Sequence, residues 1–261
     1  METNEILTAG LAYESFMGRW SRAVAREFLV WVAIPPGRRW LDVGCGTGTL
    51  TAMILESASP GEVQGVDPSE ASVAYARSTI TDNRASFMVG DALSLPSEME
   101  GLDVIASGLV LNQLSKPADG VAEMIRVAKP GGVIAAYVWD FAEGMQMLRF
   151  FWDAAIELDP AAEELDQTRQ FSLCNPDRLR ELFEGSGIAD VKVRAIKAPA
   201  VFRDFDDYWT PFLSGRDLRA PGYVISLDEG RRTRLRERLQ TTLPMINSSD
   251  CPRLGCLWIN Q

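Results

Sequence analysis

Residues 41–48 read Leu41-Asp42-Val43-Gly44-Cys45-Gly46-Thr47-Gly48, set between an apolar run that ends at Val43 and a helical pattern over Leu50–Ser57. Glycine lets a backbone turn tightly and approach a ligand closely, and a helix start offers unpaired N–H groups. Strand, glycine loop and helix therefore make a turn that can face a ligand. The same alternation continues to Asp140. Strands are predicted over Arg39–Val43, Glu62–Val66, Ser86–Val89, Asp103–Ser107 and Gly132–Trp139, with helices over Leu50–Ser57, Ser69–Ile80 and Ala118–Ala128. The breaker Lys129-Pro130-Gly131-Gly132 ends the last of these helices. Repeated strand–helix–strand units imply an α/β fold on a parallel sheet.

Before this core lies an amphipathic segment, Tyr13–Val32, closed by Pro35-Pro36-Gly37. After it, helices are predicted over Met145–Leu158, from the cap at Asn175 to Phe183, over Phe205–Leu213 and over Asp228–Leu243. Asp190–Phe202 alternates like a strand, Asp159–Arg169 is acidic and polar, and the tail from Asn247 has no clear period. There is no internal repeat and no domain linker, so residues 1–261 read as a single domain.

Composition narrows the chemistry. The 261 residues contain no histidine, which excludes Ser-His-Asp and Cys-His catalysis, HExxH zinc sites and any imidazole base. With 26 Lys and Arg against 36 Asp and Glu, the net charge of −10 disfavours nucleic acid and anionic membranes as partners. No apolar run reaches the ~18 residues a spanning helix needs, and the start lacks the charged and apolar regions of a signal peptide. Cys45, Cys174, Cys251 and Cys256 form no CxxC pair, so neither a disulfide framework nor a four-cysteine zinc site is expected. A cytoplasmic protein without a metal centre is the expectation, as a monomer or homodimer.

Three acids stand where strands end. Asp42 precedes the glycines and would repel a pyrophosphate, so it suits a cationic ligand. The loop is also GxGxG rather than the dinucleotide fingerprint GxGxxG, with Thr49 where the third glycine would stand. Asp67, in Val66-Asp67-Pro68-Ser69, has lone pairs for both hydroxyls of a ribose, and Asp91, in Gly90-Asp91-Ala92, can accept from an adenine amino group. Singly, each acid also fits a structural role: Asp42 on loop amides, Asp67 at the helix start beside Ser69, Asp91 in a turn. Together they converge on the crevice where open α/β sheets bind ligands.

These segments resemble the class I S-adenosylmethionine-dependent methyltransferases that act on small molecules. The resemblance is carried by LDVGCGTG at 41–48, VDPS at 66–69, GDALSLP at 90–96, DVIASGLVLNQL at 103–114 and MIRVAKPGGVIAAYVWD at 124–140. It implies a doubly wound, Rossmann-like seven-stranded sheet in the order 3-2-1-4-5-7-6, with helical lid elements. Residues 1–35 would be an N-terminal lid helix, 36–140 the cofactor-binding core, and 141–261 substrate-side insertions and C-terminal strands. Cys256–Asn260 is the best segment for the antiparallel seventh strand.

The resemblance also implies roles. Asp42, Gly44, Cys45, Gly46 and Gly48 would surround the methionine moiety, Asp67 with Pro68 the ribose, Asp91 with Ala92 the adenine, and Ser107 with Gly108 the sulfonium. Tyr13, Phe16 and Trp20 would close over the cofactor. Asn112 stands where relatives often have histidine; it, Phe16, Trp20, Trp139 and Trp209 are candidates to meet the acceptor. Tyr13 and Asp140 are the candidates to take a proton. The implied reaction is direct displacement of the methyl group onto a small-molecule acceptor, with no metal. A binding protein without turnover and a nicotinamide-dependent oxidoreductase are the alternatives.

Two further features have competing readings. Arg231, Arg232, Arg234, Arg236 and Arg238 fit a solvated helix face better than a phosphate patch, because Glu229 and Glu237 interleave with them. The aromatic residues Phe202, Phe205, Tyr208, Trp209 and Phe212, like Phe150, Phe151 and Trp152, fit either core packing or a substrate lid.

Overall fold

The computed structural model describes residues 3–97, 99–141, 144–166, 173–215, 218–244 and 253–260, of which 3–13, 15, 199 and 253–260 are described as backbone. Five strands, β1 (Arg39–Val43), β2 (Glu62–Asp67), β3 (Ala85–Val89), β4 (Leu102–Gly108) and β5 (Ala128–Trp139), form a parallel sheet in the order β3-β2-β1-β4-β5. Trp40, Leu41 and Val43 of β1, and Val104, Ile105 and Ala106 of β4, are almost fully buried. These near-continuous apolar runs are what a parallel sheet covered on both faces requires. The chain runs outward from β1 to β3, then returns to lay β4 against β1. A topological switch point therefore opens between the carboxyl ends of β1 and β4, where such sheets bind ligands.

The helices are α1 (Thr3–Val32), α2 (Thr49–Ser57), α3 (Glu70–Thr79), α4 (Pro117–Val127), α5 (Gln146–Leu158), α6 (Pro176–Gly185), α7 (Phe205–Trp209), α8 (Arg219–Ser226) and α9 (Glu229–Thr242). Several starts follow the expected capping chemistry. Ser69 accepts from the Ser72 amide at 3.2 Å, Asn175 from the Asp177 and Arg178 amides, and Asp228 from the Arg231 amide at 2.8 Å. Beyond the core lie β6 (Lys192–Pro199) and β7 (Arg253–Asn260), and the β7 backbone pairs antiparallel with both β5 and β6.

Beyond shifts at element ends, several elements differ from the sequence pattern. Lys129–Gly132 does not precede β5; it lies inside the strand as a bulge, because Leu102 pairs with Ala128 and Val104 with Val133. Part of the acidic stretch folds: Pro160–Leu165 makes a 3-10 turn whose start is capped by Asp159 on the Ala161 amide. Helix α8 has no counterpart in the sequence pattern, and residues at its start line the site.

The aromatic residues after β6 settle as core. Phe151 stacks on Phe212 with ring centroids 4.6 Å apart, Phe16 meets Phe212 edge-on at 5.2 Å, and Trp20 packs on Phe202 at 5.3 Å. These contacts fasten α1 to α5 and to the C-terminal insertion. On α9, Leu235 and Leu239 are buried, while Arg236 and Arg238 pair with Asp206 and Glu157. The arginine series is thus largely a solvated, ion-paired face.

Candidate functional site

A cavity of about 430 Å3 lies at the switch point. Its floor comes from the loop after β1 and from Gly108, Leu109, Val110 and Asn112 after β4. One wall comes from α1 (Glu14, Phe16, Met17, Ser21), another from Tyr137, Trp139, Phe141, Met145 and Leu148, and a third from Leu218–Pro221 at the start of α8.

The glycine loop is shaped by its own geometry. Gly44, Gly46 and Gly48 all have positive φ, at 73°, 53° and 94°. At Gly44 an added Cβ would lie 2.4 Å from the Val110 side chain, and at Gly48 2.5 Å from Ile80. At Gly46 it would meet nothing within 4 Å, so the open space there belongs to the cavity that Gly46 lines. Gly48 does not line the cavity; it lets α2 start close to α3.

Asp42 is the electrostatic centre. It is 1% exposed, its Oδ2 accepts from the Thr51 hydroxyl at 2.7 Å, and its Oδ1 has no protein partner. Burial pushes its carboxyl up to about 7; the Thr51 hydrogen bonds oppose this and the Asp67 charge adds to it. Burial raises Asp67 as well, against the amides of Ser69 and Gly46. It also raises Cys45 far above a reactive range, so that thiol is inert. A buried carboxylate oxygen without a partner is costly, and a cation in the cavity would relieve it. The ammonium of a methionine moiety fits that requirement, and the space over Gly46 fits the chain that carries it.

The other predicted residues divide. Gly44, Cys45, Gly46, Gly108, Asn112, Trp139 and Phe16 line the cavity with Asp42. Asp67 does not; its carboxylate accepts from the Gly46 and Ser69 amides, both at 2.9 Å, and so braces the loop. Pro68, Asp91 and Ala92 lie beside it at the ends of β2 and β3, where Asp91 accepts from the Leu93 amide at 2.9 Å. Ser107 is buried and donates to the Val43 carbonyl at 3.1 Å, tying β4 to β1 rather than reaching the cavity. Trp20 and Trp209 belong to the aromatic core, not the lining. Asp140 stands at the turn into α5, its carbonyl accepting from Gly144 and Met145, and does not line the cavity. The Tyr13 side chain lies outside the described residues.

Sequence reasoning missed Glu14 and Arg219. Glu14 accepts from the Thr49 hydroxyl at 2.6 Å and from Arg22 at 2.9 Å, pinning α1 to the first turn of α2. Among the described residues no cluster of three or more Cys, Asp or Glu could hold a metal, and no helix is long and apolar enough to cross a membrane.

Comparison with known proteins matches residues 41–136 to a methyltransferase domain family. A demethylmenaquinone methyltransferase of Roseiflexus castenholzii is 31% identical over 184 residues, 66% of this chain and 76% of that protein. The protein of that name from Staphylococcus aureus is 27% identical over 188 residues, 67% of this chain and 76% of its own. Among solved structures, Haemonchus contortus phosphoethanolamine N-methyltransferase 2, bound to phosphomonomethylethanolamine and S-adenosylhomocysteine, superposes with a TM-score of 0.57 at 19% identity. That superposition covers 96% of this chain and 56% of the other. With the glycine loop, the buried acid whose Oδ1 lacks a partner and a relative at this identity, the chain belongs to the class I S-adenosylmethionine-dependent methyltransferases.

Proposed function

We propose that the protein methylates a small, apolar ring-bearing molecule, and that the demethylmenaquinone of its relatives' name is the first acceptor to test. The carrying observation is the apolar part of the cavity lining, to which Phe16 and Met17 of α1 and Trp139, Phe141, Met145 and Leu148 contribute. When bound, S-adenosylmethionine supplies a methyl already activated on sulfonium, so the chain's task is alignment and exclusion of water. In this reading Asp42 holds the cofactor ammonium, Gly44, Cys45 and Gly46 the methionine chain, Asp67 and Pro68 the ribose, and Asp91 and Ala92 the adenine. Gly108 borders the sulfonium, Asn112 faces the acceptor through its buried and unpartnered Oδ1, and α1 forms the cover.

Incubation with S-adenosylmethionine labelled in its methyl group and demethylmenaquinone, oxidised and reduced, should yield labelled quinone. Label appearing only in polar acceptors would remove the apolar class. Turnover should survive excess chelator, because both acids that line the cavity are engaged: Glu14 with Thr49 and Arg22, and Asp42 with Thr51 and, in this reading, the cofactor ammonium. Loss of activity on chelation, restored by magnesium, would replace this account of the chemistry and leave the cofactor in place.

Asp67→Ala should weaken S-adenosylmethionine binding by about 1.5 to 3 kcal/mol, the usual loss for hydrogen bonds to a charged group. Calorimetry on the folded variant is the check, and unchanged affinity would take the ribose away from Asp67. The native sheet is further proposed to close in the order 3-2-1-4-5-7-6, a reading supported by the backbone pairing of β7 with β5 and β6. The free, buried Cys45 and Cys174 support a reducing, cytoplasmic setting.

A further inference from the structure

The geometry points to Arg219, at the start of α8, as the residue that receives the carboxylate of the cofactor's amino-acid end. This rests on the proposed seat of the cofactor ammonium at Asp42. That seat places a zwitterion in the cavity, and its carboxylate needs donors, since burying an unpaired charge is costly.

Most amides of the glycine loop are already spent, and those of Thr47, Thr49 and Leu50 at the start of α2 are neutral donors that carry no full positive charge to set against a carboxylate. The amides of Gly44 and Cys45 donate to the Val66 carbonyl at 2.8 and 3.0 Å, that of Gly46 to Asp67 Oδ2 at 2.9 Å, and that of Gly48 to the Cys45 carbonyl at 2.8 Å. After β4, the Leu109 amide donates to the Tyr137 carbonyl at 2.8 Å and the Gln113 amide to the Val110 carbonyl at 2.7 Å. The Thr49 hydroxyl is spent on Glu14 at 2.6 Å. Two acids, Glu14 and Asp42, line the cavity, and among the described lining residues Arg219 carries the only positive charge. Its guanidinium has five N–H donors in a fork that matches a carboxylate, so it can serve the ligand while keeping a protein partner.

The consequence is an order of events. Arg219 belongs to the insertion after β6, not to the sheet, so a cofactor held by Asp42 and Arg219 bridges core and insertion. The α8 wall of the acceptor space is then fastened when the cofactor binds, before the acceptor enters. The contact also distinguishes the full cofactor from one that lacks the carboxylate.

The test is calorimetric titration of the full chain with S-adenosylmethionine and with its decarboxylated analogue, which keeps the sulfonium and the ammonium. Wild type should prefer S-adenosylmethionine. Arg219→Gln should weaken S-adenosylmethionine about tenfold to a hundredfold and leave the analogue unchanged, while Arg219→Lys, which keeps the charge, should retain part of the preference. Asp42→Asn should weaken both ligands, so a failed ammonium seat and a failed carboxylate seat give different patterns. Unchanged S-adenosylmethionine affinity in Arg219→Gln overturns the proposal, as does an equal loss for both ligands. With unchanged cofactor affinity, a loss of turnover confined to acidic acceptors would assign the guanidinium to an anion on the acceptor.

Discussion

Asp42→Asn is expected to weaken S-adenosylmethionine about a hundredfold or more and, at the same time, to stabilise the free protein. Both effects have one cause. In the free protein the Asp42 carboxyl is buried, has one oxygen without a partner, and stands near the charge of Asp67. Its pKa is therefore raised from 3.8 to about 7. Between those values the unfolded chain has released the proton and the native chain still holds it. The native state binds more protons, so stability falls as pH rises through that window, by about 1.4 kcal/mol per unit and on the order of 4 kcal/mol in all. Asparagine can accept from Thr51 as Asp42 does and carries no charge, so the variant's free form should melt higher above pH 7 and lose that slope. The cofactor ammonium loses its counter-charge, and removing one partner of a buried pair costs about 3 to 5 kcal/mol. Wild-type affinity should also decline below pH 7, approaching tenfold per unit, because binding needs the ionised carboxylate; the variant should lack this dependence. Melting curves and calorimetry from pH 5 to 8 read both arms. A variant that binds as tightly as wild type would move the ammonium elsewhere.

The core was legible because its signals are local. The apolar runs of β1, β2 and β4 are short and flanked by turn residues, and each acid stands within two residues of the end of its own strand. Asp42 was expected from charge alone to suit a cation, and the structure leaves its buried Oδ1 without a partner and available for that role. What chain order could not show is which side chains face inward across elements. Trp20 and Trp209 carry the same aromatic signal as Trp139, yet Trp20 packs on Phe202 and Trp209 stacks with Phe205, while Trp139 lines the cavity. Ser107 and Gly108 are neighbours on β4, and the strand's alternation turns Ser107 toward the Val43 carbonyl while Gly108 lines the cavity. Helix α8 offered little signal: it is one short helix with Pro221 in its first turn and no side-chain cap at Leu218. Arg219 was invisible for that reason. Glu14 sits on a helix that was foreseen, but its partner Thr49 lies 35 positions away.

Gly44→Ala is expected to destabilise the protein by about 2 to 5 kcal/mol, with two separable causes. Gly44 has φ 73°, and a side chain in that region costs roughly 1 to 2 kcal/mol of backbone strain. The new Cβ would also stand 2.4 Å from Cγ2 and 2.8 Å from Cγ1 of Val110, and overpacking of that kind costs about 1 to 3 kcal/mol. Val110 follows β4 and lines the cavity, so its retreat would narrow that cavity. Val110→Ala in the same chain should recover the overpacking share and none of the backbone strain. The double variant should then be more stable than Gly44→Ala alone, although Val110→Ala by itself removes apolar contacts. Gly46→Ala is the informative companion. Its φ of 53° carries similar strain, but its Cβ meets nothing within 4 Å, so its stability loss should stop at roughly 1 to 2 kcal/mol. The open side of Gly46 is the cavity itself, so this smaller structural change should weaken the cofactor more than its stability loss implies. Denaturant titrations of the three variants, paired with S-adenosylhomocysteine binding, separate the cases. If Val110→Ala deepens the Gly44→Ala defect, the contact with Val110 is not what demands glycine at 44, and strain in the left-handed turn must account for the whole loss.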